Sequence, residues 1–130
     1  MPAPDELQEL DRQGISWQAQ TTRAWIEKLA AAPDALSLLE GQTTPSCINA
    51  EAKRIQLPRW SIVLLDCDPG VRGRRLARRG QAELATPRMD TWAAYLRGQA
   101  DALGLPVIDT SSLSIPEVAL TVSSFADLLR

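Results

Sequence analysis

Two hydrophobic periods alternate along this chain. Met89, Trp92, Ala93, Leu96, Ala100 and Leu103 follow the i, i+3, i+4, i+7 spacing of a helix with one apolar face. Ile115, Val118, Ala119, Val122, Ala126 and Leu129 do the same near the end and predict a final helix that buries them. Trp17, Ala24 and Trp25, with Lys28 and Leu29, recur at helical spacing from Ser16 to about Ala32, where Pro33 stops the pattern. Asp5 to Gln13 reads as a separate short helix ended by Gly14. Between these stretches lie short continuous apolar runs: Leu36 to Leu39, Ile62 to Leu65 and Leu105 to Ile108. Runs of this length predict buried strands.

The boundaries are written in cap-and-proline pairs. Thr44-Pro45, Asp68-Pro69 and Thr86-Pro87 each place a capping side chain before a proline suited to the first helical turn. Ser114 and Glu117 form the spacing of a capping box. Pro58 ends the helix that Thr44-Pro45 opens, and Gly104 closes the one that Thr86-Pro87 opens. Strands separated by helices of this length imply βαβ units. The predicted fold is α/β: a parallel sheet of about three strands flanked by helices. It forms a single domain over residues 1–130, helical over 1–35 and alternating β/α over 36–130.

Each predicted strand ends in a carboxylate: Glu40, then Asp66 and Asp68, then Asp109. Ligands of open α/β sheets sit beyond the carboxyl ends of the strands, so these acids are candidates for a metal–phosphate site. Asp68 has a competing role as a helix cap, and Asp109-Thr110-Ser111 reads equally as turn chemistry. Glu40 and Asp66 are left as the candidate metal ligands.

The helix predicted over 69–80 carries Arg72, Arg74, Arg75, Arg78 and Arg79, with no acid among them. At about 100° per residue, Arg72, Arg75 and Arg79 share one narrow arc, and Arg74 and Arg78 form a second ridge. Stacked guanidinium groups present forked donors that match phosphate oxygens. They also repel one another unless an anion or neighbouring acids sit close by. A solvated face with ion pairs is the plainer alternative. Gly80-Gln81-Ala82-Glu83 after the helix reads as a mobile turn.

Composition narrows the chemistry. The net charge is −2 and the pI about 5.1, so the basic charge is local and nucleic acid is a poor fit as partner. No apolar run approaches the roughly 20 residues of a membrane helix, and no secretory signal is visible, so the expected setting is cytoplasmic. Cys47 and Cys67 are too few for a disulfide framework. The absence of histidine excludes Ser-His and Cys-His nucleophile systems, and it leaves zinc only carboxylates and two lone thiols.

The stretch SIVLLDCDPGVRGRRLARRG, with the later IDTS and the upstream LLEGQ, resembles the carboxyl-terminal part of P-loop small-molecule kinases. The group includes gluconate and shikimate kinases and related bacterial ATPases of the AAA type. The resemblance spans about residues 36–130. It implies an incomplete P-loop NTPase-like three-layer fold. It places an RxxRLxxR lid helix on Arg72, Arg75-Leu76 and Arg79, and the Walker B acid on Glu40. ATP and Mg²⁺ are the cofactors it implies, and a nucleotide or phosphorylated small molecule the ligand. The GxxxxGK[ST] loop has no counterpart in these 130 residues; in the resembled family it would precede residue 1. The expectation is therefore a phosphate- or nucleotide-binding domain that is catalytically incomplete. A sheet lacking its central strand exposes an edge, which predicts a homo-oligomer. The alternative is a non-enzymatic interaction or oligomerisation module whose arginine helix binds an acidic partner.

Overall fold

Five α-helices and one two-stranded parallel sheet form among the described residues, so the chain is mixed α/β. The structure, a computed structural model, describes residues 4–32, 36–41 and 43–129, with side chains from residue 17 onward. It divides into two compact units, Met1–Trp60 and Ser61–Arg130.

The first unit is helical. A single helix, α1, runs over Pro4–Ala30. The break expected at Gly14 and the separate start at Ser16 do not occur; both residues lie inside α1. An interior glycine costs a helix only about 1 kcal/mol, which a continuous hydrogen-bond ladder on either side outweighs. The apolar face read as core is largely exposed: Trp17 retains 65% of its accessible surface. Trp25 is exposed too and carries the Lys28 ammonium 4.9 Å from its ring centre, a cation–π contact within one helix turn.

Residues 36–41 form no strand, and Leu36, Leu38 and Leu39 are exposed. The run is apolar enough for a strand. A strand, however, exists only where a neighbour completes its ladder, and among the described residues none pairs with this one. The sheet therefore has two strands there, not about three.

Helix α2 spans Pro45–Arg54. It stops four residues before Pro58, because Gln56 turns into the left-handed region at φ 55°. The amides of Gln56 and Leu57 then close on the carbonyls of Lys53 and Ala52. Ile26 of α1 and Ala52 of α2 are buried. Glu51, only 4% exposed, receives Arg54 Nε at 3.0 Å and Nη2 at 2.6 Å, and the same Nη2 donates to Glu27 of α1. Arg54 thus ties the two helices together. Its hydrogen bond holds the Glu51 carboxyl below the ordinary glutamate range, against burial, which pushes it up.

The second unit contains the sheet. Strand β1 covers Leu64–Asp66 and β2 covers Val107–Asp109, in parallel register Leu64↔Val107, Leu65↔Ile108, Asp66↔Asp109. Both strands sit further along than the apolar runs suggested. Pro106 has no N–H to give the ladder, and pairing begins with Leu64 N–H donating to the Pro106 carbonyl at 3.0 Å. Helix α3 (Pro69–Arg78), a 3-10 turn at Ala82–Leu84 and helix α4 (Pro87–Ala102) connect them. The segment expected to be a mobile turn after α3 thus holds that 3-10 turn. Ala100 of α4 and Ile108 of β2 form the buried centre.

Helix termini in this unit follow the sequence closely. Asp68 accepts from Gly70 N–H at 2.8 Å, and Thr86 accepts from Met89 N–H at 3.2 Å. Ser114 and Glu117 complete a capping box at the start of α5 (Ile115–Asp127). Gly104 ends α4 in the left-handed conformation, φ 67°, where a Cβ would be disfavoured. The face expected to be buried is only partly covered: Val118, Val122 and Ala126 of α5 and Leu129 just beyond it are half-buried, while Ile115 is 87% exposed and Ala119 is exposed.

Candidate functional site

The carboxyl ends of β1 and β2 are stitched together before any charge is considered. Thr110 N–H donates to the Asp66 carbonyl at 2.8 Å, and Thr110 Oγ1 donates to the same oxygen at 3.1 Å. Asp68 N–H donates to Ser111 Oγ at 2.8 Å. Ser111 N–H in turn donates to Asp109 Oδ1 at 2.9 Å. The turn chemistry legible in Asp109-Thr110-Ser111 is present, and it also bridges the two strand ends. Asp68 is the helix cap, as its place before Pro69 suggested.

The α3 arginines divide into two groups on this frame. Arg72 is 16% exposed and points back to the sheet: Nη1 meets Asp90 Oδ1 at 2.9 Å, and Nη2 lies 3.6 Å from Asp66 Oδ1. Nη2 also donates to the Cys67 carbonyl at 3.2 Å. Arg72 therefore finds its counter-charge in a strand-end acid and in the first turn of α4. Arg75 is different. Its Nη1 donates to Thr110 Oγ1 at 2.9 Å and its Nη2 to the Thr110 carbonyl, both uncharged. Among the described residues, Arg74, Arg75, Arg78 and Arg79 have no carboxylate within ion-pair distance, and Arg74, Arg78 and Arg79 are exposed.

Arg97 was not singled out from sequence. It sits on α4, its Nη1 3.5 Å from Asp66 Oδ2 and its Nε 3.3 Å from Asp101 Oδ1. The Asp101 hydrogen bond raises the pKa of Arg97 above the ordinary arginine value, with Asp66 adding to it. The i, i+4 spacing of Arg97 and Asp101 is a sequence signal for that pair, but nothing local links either to Asp66. Asp109 is held below the ordinary aspartate range, first by hydrogen bonding from Ser111 and then by the charges of Arg97 and Arg75.

The candidate metal ligands fall in separate units. Glu40 is exposed on the irregular 36–41 segment of the first unit. Asp66 lies in the second unit with one carboxylate oxygen toward Arg72 and the other toward Arg97. A cation at Asp66 would compete with both guanidinium groups for the carboxylate oxygens. Among the described residues no group of three or more Cys, Asp or Glu side chains is placed to hold a metal ion.

What the site can do follows from these contacts. Asp66, Asp90 and Asp101 neutralise Arg72 and Arg97 and lock the strand ends to α3 and α4. Arg75 is oriented by neutral oxygens and in direct contact with no carboxylate among the described residues, while its charge acts on Asp109 from further off. No protein-family model, curated protein or solved structure matches this chain.

Proposed function

We propose that α3 is an anion-binding helix that takes a phosphate-bearing ligand, a nucleotide or a phosphorylated small molecule. Arg75 and Arg79 are its direct ligands. Arg72 adds positive potential while its fork stays on Asp66 and Asp90. One observation carries this reading: Arg75 is held by a neutral residue, with two of its five N–H donors engaged and no carboxylate in ion-pair range. A guanidinium fixed at the carboxyl end of parallel strands, with no carboxylate in direct contact, suits an incoming oxyanion. The resemblance of residues 36–130 to P-loop kinases points to the same ligand class. The role is binding rather than phosphoryl transfer, because no residue of these 130 supplies the loop lysine that contacts the transferred phosphate.

The test is a calorimetric titration with ATP, with and without Mg²⁺, beside the Arg75→Ala/Arg79→Ala double variant. Saturable heat lost in the double variant is the expected result. No heat at millimolar ATP overturns the reading.

A second reading is favoured by a separate observation. Leu65, Leu84, Tyr95, Ile115, Leu120 and Leu128 are all exposed in the 61–130 unit, and no large side chain is fully buried among the described residues. Exposed apolar area of this kind marks association surfaces. On this reading the unit is an interaction or oligomerisation module, with Arg74 and Arg78 toward an acidic partner. It requires a salt-sensitive complex and no nucleotide response; a sharp monomer in light scattering at high concentration removes its homo-oligomeric form.

A further inference from the structure

We infer that Thr110 is the positioning residue for Arg75, a role that goes beyond its place in the turn after β2 and rests on the anion-binding reading above. Thr110 accepts from both ends of the Arg75 fork, Nη1 on its Oγ1 at 2.9 Å and Nη2 on its carbonyl. The same hydroxyl donates onward to the Asp66 carbonyl at 3.1 Å, which fixes the side chain's rotamer. Thr110 N–H also donates to that carbonyl, at 2.8 Å, so the backbone that carries both acceptors is anchored to β1. The chain of contacts runs from strand end to hydroxyl to guanidinium with no carboxylate in it. It engages the Nη1–Nη2 end of the arginine and leaves the Nε–H edge, with one Nη N–H beside it, for a second bidentate partner. A phosphate docking there meets a guanidinium whose torsional freedom has already been lost, so less entropy is spent on binding. A carboxylate in place of Thr110 would orient Arg75 equally well but would cancel its charge.

Thr110→Val keeps the β-branched shape and the N–H to Asp66, and removes only the hydroxyl. Thr110→Ser keeps the hydroxyl. Two measurements separate the possibilities. The first reads the Arg75 guanidinium directly, by ¹⁵N NMR of its Nη groups in the free protein. Wild type and Thr110→Ser should show slow rotation about the Nε–Cζ bond, and Thr110→Val fast averaging. Fast averaging in the wild type overturns the inference without any variant having to fold. The second is the ATP titration. Thr110→Val should weaken binding about fivefold, the scale of one hydrogen bond, and Thr110→Ser should restore it to within about twofold of wild type. If Arg75→Ala/Arg79→Ala abolishes binding while Thr110→Val binds like wild type, the positioning role fails and the anion site stands. If wild type shows no heat, both fall.

Discussion

The two units close their helices by different means, and the difference shows where each is strong. In the 61–130 unit, α3, α4 and α5 each begin with a side chain that accepts a backbone N–H: Asp68, Thr86 and Ser114. Helices α3 and α4 end with Gly80 and Gly104 in the left-handed conformation. In the 1–60 unit, Thr44 stands at the cap position of α2 without making that bond, and the left-handed residue after it is Gln56. Neither unit buries a large side chain completely among the described residues. With so thin an apolar centre, helix ends and hydrogen-bonded charges take a larger share of specifying each fold. Among the described residues, the first unit ties its two helices through Arg54, between Glu27 and a buried Glu51. The second distributes the task over strand ends, caps and glycines.

That contrast can be tested by exchanging the left-handed residues. Gly104→Ala adds a Cβ that meets nothing within 4 Å, so its cost is purely the backbone one, about 1–2 kcal/mol of destabilisation. Gln56→Gly should relieve a similar strain and stabilise by about 1 kcal/mol, less the extra unfolded-state entropy of glycine. Urea unfolding of both variants reads the pair. If Gln56→Gly is neutral or destabilising, the view of α2 as a poorly terminated helix is wrong.

The caps give a smaller contrast. Ser114→Ala removes the hydroxyl half of a capping box, leaving the residue-114 N–H on Glu117, and should cost about 1 kcal/mol. Thr44→Ala removes no cap bond and should stay within about 0.5 kcal/mol. Equal losses in thermal unfolding would contradict the difference in cap geometry.

The smallest effect concerns pH. Asp109 is depressed in the folded state, so its contribution is fully present above the unfolded aspartate range. It is lost as pH falls through the lower folded value. Ser111→Ala removes the leading cause, so the Asp109 pKa should rise toward the ordinary aspartate value and the acid limb of the stability curve should flatten. Carboxyl NMR titration of Asp109 checks the direction. A further fall in the Ser111→Ala protein would rule out Ser111 as the cause.

Local signals in this chain proved accurate where the physics is local. Asp68, Thr86 and the Ser114–Glu117 box cap the helices they precede, and Gly104 ends α4, because each acts within one turn of its own backbone. The mixed α/β class was legible for the same reason, from the change of hydrophobic period. The reading failed where a partner was required. Among the described residues, Leu36 to Leu39 has strand composition but no neighbour to complete a ladder, and Trp17 has helical spacing but stays exposed. Gly14 failed as a stop because a helix tolerates one glycine when residues on both sides extend it.

The candidate site divides along the same line. By itself the sequence determined that five arginines share one helix, that this helix follows a strand ending in an acid, and that Arg72, Arg75 and Arg79 share an arc, because helical geometry is a property of consecutive residues. Only the tertiary structure decided which of them is paired directly with a carboxylate. Asp90, 18 residues on, comes to Arg72, and Arg97 comes to the other oxygen of Asp66. Thr110, 35 residues on, comes to Arg75 with neutral oxygens alone. Charge compensation depends on distances of a few ångströms between residues far apart in the chain, and those distances are set by the pairing of β1 with β2 and by no local pattern.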